Sequence, residues 1–382
     1  MVLSCNPCTR FAIQLVPTPC GAAMLARSLL LVSVVALWSP AVPAAAQTSR
    51  QILKGDSVAV YNLVGELRVE AGSGSDVVVE IQRGGADAAK LEVQSGPLRG
   101  RETLRIIYPD DVISMPEWGR GWNTTLRVRD DGTFGEEHGR HDRGGWFRDG
   151  HEVRITGRGR GGLQAYADLR VSIPKGKNVA LYLGVGKAFV SNVEGVIRVY
   201  VASADVAADR TRGSLRVESG SGNVDLRTAS GDVSLATGSG DITASGVDGS
   251  SLKLETGSGN VTLTDGKAST LHVETGSGNI EATGSSGDDL SFETGSGDVD
   301  VALIATFSTV HIETGSGDVT LKVPPTLGAE VDLDTGSGDI DLGGLTLQVR
   351  RIAHDHVTGT LGDGKGRVSV ETGSGNVHLQ KL

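Results

Sequence analysis

Glu255-Thr256-Gly257-Ser258-Gly259-Asn260-Val261-Thr262-Leu263-Thr264, then Asp265-Gly266-Lys267-Ala268-Ser269-Thr270-Leu271-His272-Val273, runs straight into Glu274-Thr275-Gly276-Ser277-Gly278-Asn279, where the opening starts again. Val261 and Leu263 alternate with Thr262 and Thr264, and Leu271 and Val273 alternate with His272 and Glu274. This is the period of a strand with one buried face. The Gly-Ser-Gly between them reads as a turn, and so does the stretch from Asp265 to Ser269. One unit is therefore two short strands and two turns.

The first turn glycine recurs at Gly220, Gly238, Gly257, Gly276, Gly295, Gly315, Gly336 and Gly373, at steps near 19 residues except the last, which is about double. Gly184 and Ala202 extend the register upstream. Leu67 to Val79 holds an imperfect early copy. A fixed period of this length marks a solenoid, in which one coil cannot bury its apolar side alone and stacks on copies of itself. The expected fold is all-β: a parallel two-sheet β-solenoid of ~19-residue coils, each step adding ~4.8 Å along the axis. Glycines in the turn supply positive φ or let backbones approach closely. The Asp or Asn that follows bonds nearby amides and stacks into a ladder. No capping segment follows Leu361–Leu382, so the pattern leaves an open sheet edge at that end.

The chain has 382 residues, 55 of them Gly and 4% aromatic, and the fixed phase of the glycines argues for ordered turns and a thin core without large rings. Residues 1–46 read as a signal peptide, with Met24 an alternative start: Arg27, an apolar run from Ser28 to Trp38, then Ala44-Ala45-Ala46. No later apolar run is long enough to span a membrane. Cys5, Cys8 and Cys20 all fall in this leader, which leaves the exported chain without disulfides or thiolate metal sites. The formal net charge is −10 and the leader contains no acidic residue, so bulk charge disfavours nucleic acid as a partner. Residues 47–114 read as a β segment continuous with the solenoid, 115–162 as a Gly/Arg/Trp-rich insertion loop, and 163–382 as the repeat domain.

The Glu-Thr-Gly-Ser-Gly-Asp/Asn-Val units from Glu218 to Val377, and the ending Leu361-Gly-Asp-Gly-Lys-Gly366 before Val370-Glu-Thr-Gly-Ser-Gly375, resemble a bacterial domain-of-unknown-function family catalogued as "putative adhesin". The resemblance spans residues 165–382 well and 55–110 loosely. It implies an exported or envelope-attached β-solenoid and transfers no catalytic residue.

Three sets of residues carry candidate chemistry. Outward positions before each turn form an acidic row of Glu218, Glu255, Glu274, Glu293, Glu313, Asp334 and Glu371, interrupted by Ala236. At ~5 Å spacing each neighbouring pair repels by ~0.8 kcal/mol in water. Splaying into solvent, offset by Lys253, His272 and His311, or a bound cation such as calcium would relieve that repulsion. Toxin-type calcium repeats need Gly-Gly-x-Gly-x-Asp, which this chain departs from. In the insertion, Trp118, Arg120, Trp122, Trp146 and Arg148 could offer rings and guanidinium donors to a glycan or protein, against the plainer reading of a loop packed on the solenoid flank. His138, His141 and His151 with Asp142 and Glu152, and separately His354 with His356, form loose metal-like groups whose plainer reading is a solvated loop.

No nucleophile elbow, phosphate loop or zincin motif occurs, and turn serines repeated in every coil read as structural. The expected function is a non-enzymatic envelope rod or adhesin, with no cofactor required, whose partner is a cell-envelope glycan or protein. The alternatives are a polysaccharide lyase or hydrolase, for which Asp225, Asp300 and Asp341 share one outward position, and a calcium-stabilised envelope-stress accessory protein.

Overall fold

Each coil places four or so aliphatic side chains inward. Burying one contributes about 1.5–3 kcal/mol, while ordering each of ~19 residues costs about 1–2 kcal/mol. A lone coil therefore does not hold, and stacking decides the structure. The computed structural model describes residues 47–115, 123–135, 150–157 and 161–382. Strands Glu194–Ser221, Val224–Thr237, Ile242–Thr256 and Val261–Thr275 lie parallel in register, each coil on the next, at offsets of 18 or 19 residues. The chain is a parallel β-solenoid.

Two inward columns form the core. Ile242, Val261, Ile280, Val299, Val319 and Val377 follow one another on the face after the turn. Leu254, Val273, Phe292, Ile312, Val370 and Leu333 do so on the face before it. All are essentially sealed from solvent. Phe292 is fully buried, so the core is wide enough for a ring at that level.

The second expected turn is a single-residue corner. Asn192, Arg210, Thr228, Gly246, Asp265 and Gly284 stack with φ between +51° and +68°, and the strand resumes at once with Gly266 paired to Val247. One left-handed residue redirects the chain while leaving the ladder of backbone bonds intact on both sides.

The coils do not stack in chain order at the C-terminal end. Strands Gly366–Thr372 and Val377–Lys381 lie directly on Thr309–Thr314 and Val319–Val323, and Ala329–Thr335 lies outside them. The double interval between Gly336 and Gly373 is thus a detour. Residues 348–361 form an antiparallel hairpin on the outer edge of Ala329–Thr335, and the chain then turns back to thread the last coil inside. His354 lies in that hairpin's turn and His356 in its strand, so the two are not alternate residues of one strand. The edge expected at Leu361–Leu382 is instead Gln348–Ile352, exposed along its length, charged by Arg350 and Arg351 and irregular in register between Val349 and Arg351. Charge and a bulge are common means of blunting a sheet edge.

At the other end, Ser57–Ala71 makes the first full coil and stacks on Lys177–Ser191. Val77–Gly84, expected as part of an early repeat, reverses and pairs antiparallel with Tyr166–Ile173 and with Gln47–Leu53. The insertion expected as a loop holds two strands: Asn123–Val128 and His151–Thr156 form a small sheet with Val112–Ser114. That sheet packs on the solenoid through Phe134, whose ring meets Tyr61 and Tyr182 edge-on at 5.8 and 6.4 Å.

Candidate functional site

The Gly-Ser-Gly-Asx turn is the most repeated local feature, and each of its residues has a structural task. A Cβ on Gly257 would sit 2.6 Å from the Gly238 carbonyl oxygen. At Gly259, with φ +156°, it would sit 2.1 Å from that of Gly240. The threonine before the turn is buried, and its hydroxyl donates to a turn carbonyl of the adjacent coil: Thr256 to Gly240, Thr275 to Gly259, Thr294 to Gly278. Each Asx amide N–H donates to the Oδ1 of the Asx one coil away, from Asn223 on Asp205 through Asn279 on Asn260 to Asp339 on Asn376, at 2.7–3.0 Å. Only the Oδ1 acceptor is used along that ladder, which is why Asp and Asn interchange. These bonds run between coils, not within a turn.

The acidic row stands in register on the outward side of the face before the turn: Glu218, Ala236, Glu255, Glu274, Glu293, Glu313, Glu371 and Asp334. Glu371 falls between Glu313 and Asp334 because the last coil is threaded inside. A second column two residues earlier meets it. Arg216 pairs with Glu218, Lys253 Nζ lies 2.6 Å from Glu255 Oε1, Ser291 Oγ donates to Glu293 at 2.6 Å, and the His272 and His311 rings lie 3.3 and 3.5 Å from Glu274 and Glu313. His356 reaches Asp334 at 2.7 Å from the capping hairpin. Glu255, His272 and Glu274 present ligand atoms all within 4.8 Å of one another. Their donor set, one imidazole and two carboxylates, suits a borderline ion such as zinc better than calcium, which takes six to eight oxygens.

On the other face Asp225, Asp300 and Asp341 do share a column, but they are not adjacent. Glu281 is the neighbour of Asp300, a residue the sequence reading passed over, and Lys322 donates to both Asp300 carboxylate oxygens at 3.1 and 3.2 Å. Trp118, Arg120, Trp122, Trp146 and Arg148 lie outside the described residues, as do His138, His141 and Asp142. His151 sits 3.4 Å from Asp111, and Glu152 pairs with Arg127 at 3.7 Å. Upstream, the acidic column continues as a ring stack that sequence reasoning missed. Tyr61, Tyr182 and Tyr200 lie face to face at 4.2 and 4.9 Å between centroids. The 18-residue step between Tyr182 and Tyr200 was its only sequence signal. Among the described residues no helix is long and apolar enough to cross a membrane.

Parallel coils, inter-coil threonine and Asx ladders and glycine-rich turns define a repeat β-solenoid whose outward faces carry regular columns of charge. The chain belongs to the Toastrack DUF4097 family, which matches residues 150–380. Among solved structures it is similar to a "putative cell adhesion protein" from Clostridium sporogenes at 10% identity, over 88% of this chain and 100% of that one, with a TM-score of 0.22. Comparison with curated proteins gives no match.

Proposed function

We propose that the chain is an exported, non-enzymatic rod of the cell envelope that engages an envelope glycan or protein through its outward faces. The observation that carries this reading is the in-register pairing of the acidic row with the column beside it, from Glu218 to Asp334. It makes a straight polar surface with a ~4.8 Å repeat, suited to an extended partner that meets equivalent groups coil after coil. The turn residues, which recur most, are spent on holding coils together. Family membership agrees with the reading, and the leader at residues 1–46 supports export. The test is fractionation of producing cells, then co-sedimentation of the purified protein with isolated envelopes. Recovery in the cytoplasm, or no co-sedimentation, would reject it. Replacing Glu255, Glu274 and Glu293 together by Lys should abolish envelope binding.

A second element is a cation held by Glu255, His272 and Glu274, favoured by their mutual distances. Binding must displace Lys253 from Glu255. Zinc should then raise the melting temperature of the parent but not of His272→Ala, whereas millimolar calcium should do no more than equal ionic strength of sodium. Equal melting with zinc and with chelator would remove the cation.

A further inference from the structure

The Asx ladder is unbroken from Asp205 to Asp339, yet its continuation toward the N-terminal end changes character. Asp168 still plays the part, its Oδ1 accepting the Glu66 N–H at 2.8 Å. Glu66 pairs in register with Lys187, and Lys187 with Asp205. Two coils thus replace the short Asx acceptor by long ionisable side chains. Lysine has no acceptor at all, so it cannot serve the ladder. Departure from a local rule that the rest of the molecule obeys points to a function.

A groove opens at these same residues. A cavity of about 580 Å³ is lined by Tyr166, Asp168, Glu66, Lys187 and Ser203, within the usual range of small-molecule sites. A second hollow of about 270 Å³ shares Glu66 and Asp168 as its wall. The floor is backbone: an added Cβ at Gly186 would sit 1.8 Å from the Gly65 carbonyl oxygen. The Tyr166 ring is held directly against Gly84, 2.3 Å from where a Cβ there would be. Burial pushes the Asp168 carboxyl above its usual range, with the nearby Glu66 charge acting in the same direction. Glu66 is paired with Arg68.

An anionic ligand would meet two carboxylates here, and a cationic one would meet Lys187. A neutral polyhydroxylated ligand satisfies both, donating hydroxyls to Asp168 and Glu66 and accepting from Lys187 and Ser203, with the Tyr166 ring as an apolar wall. We propose that this groove is a saccharide-binding subsite that takes a hexose-sized unit of a neutral glycan chain. The proposal names the ligand class for the envelope interaction above and rests on that reading for its biological setting.

The test uses the purified protein on an array of neutral hexose and N-acetylhexosamine oligosaccharides, with Lys187→Asn and Asp168→Asn as variants. Asn supplies the Oδ1 acceptor the ladder uses at Asn223, Asn260 and Asn279, so both should melt no lower than the parent. The expected result is binding of at least one oligosaccharide, weakened at least tenfold in each variant. No bound saccharide, or binding unchanged in both variants, overturns the subsite. Envelope co-sedimentation separates the two readings. Array binding unchanged in Lys187→Asn and Asp168→Asn, with envelope sedimentation by the parent intact, rejects the subsite and leaves the envelope role. Array binding through Lys187 without envelope binding by the parent rejects the role and leaves the subsite.

Discussion

A single acceptor atom decides what each ladder position tolerates. Asp241 accepts the Asn260 N–H at 2.8 Å and donates its own N–H to Asn223. Asp241→Asn keeps the acceptor and should leave the urea midpoint nearly unchanged. Asp241→Ala removes it and should cost about 1 kcal/mol. At the corner, Thr228 is a β-branched residue at φ +55°, where a left-handed conformation costs about 1–2 kcal/mol. Thr228→Gly relieves that cost, less the ~0.5–1 kcal/mol lost to glycine's greater freedom when unfolded. A net gain of roughly 0.5–1 kcal/mol should appear as a higher denaturation midpoint. Asp168 sets a pH dependence. Its pKa is raised in the fold by burial, so its ionisation carries no cost below the unfolded value and a growing cost as pH rises through the folded one. Asp168→Asn should therefore be more stable than the parent at neutral pH, with the difference vanishing under acid.

Elements in this molecule are defined by their neighbours more than by their own sequence. Val77–Gly84 follows a Gly72-Ser73-Gly74-Ser75-Asp76 turn that looks like the repeat, yet it runs antiparallel. Gly74 has open space where the later turn glycines meet a neighbouring carbonyl. Gly72 still donates its N–H to the Ile173 carbonyl at 2.8 Å, so only the first half of this turn keeps a neighbour and the chain after it is free to reverse. The edge strand Gln348–Ile352 illustrates the opposite problem. Among the described residues its backbone pairs on one side only, with His356–Leu361; Val349 and Ile352 are 46% and 71% exposed, and Arg350 is held by Glu330. Replacing Arg350 and Arg351 together by Val should convert it into a template for another chain. Light scattering on size exclusion should show concentration-dependent association in that variant and not in the parent.

Across the whole molecule, stability is a sum of coil-to-coil interfaces, so the place of a coil matters more than its number. The final coil, residues 366–381, lies between two earlier ones. Ending the chain after Lys365 should therefore strip amide-exchange protection from Thr309–Thr314 and Ala329–Thr335 together, while Ile242–Thr256 keeps its own. Loss confined to the truncated end would contradict the threading.

Strand alternation, the inward aliphatics, the outward acidic row and the coil period could all be read from the chain, because each depends on residues a few positions apart or one period apart. Glu255 and Glu274 could be named as neighbours for that reason, and His272 beside them. The Tyr stack, the Glu66–Lys187 groove and the capping hairpin could not. They depend on pairings such as Val58 with Val179, which no local pattern encodes. Coil order is the clearest case. Repeated coils present nearly interchangeable faces, and closing a longer loop costs only ~0.6 kcal/mol per doubling of its length. Periodicity therefore determined that the segments stack as coils, and packing of the hairpin on the outer edge decided that the last one slips inside.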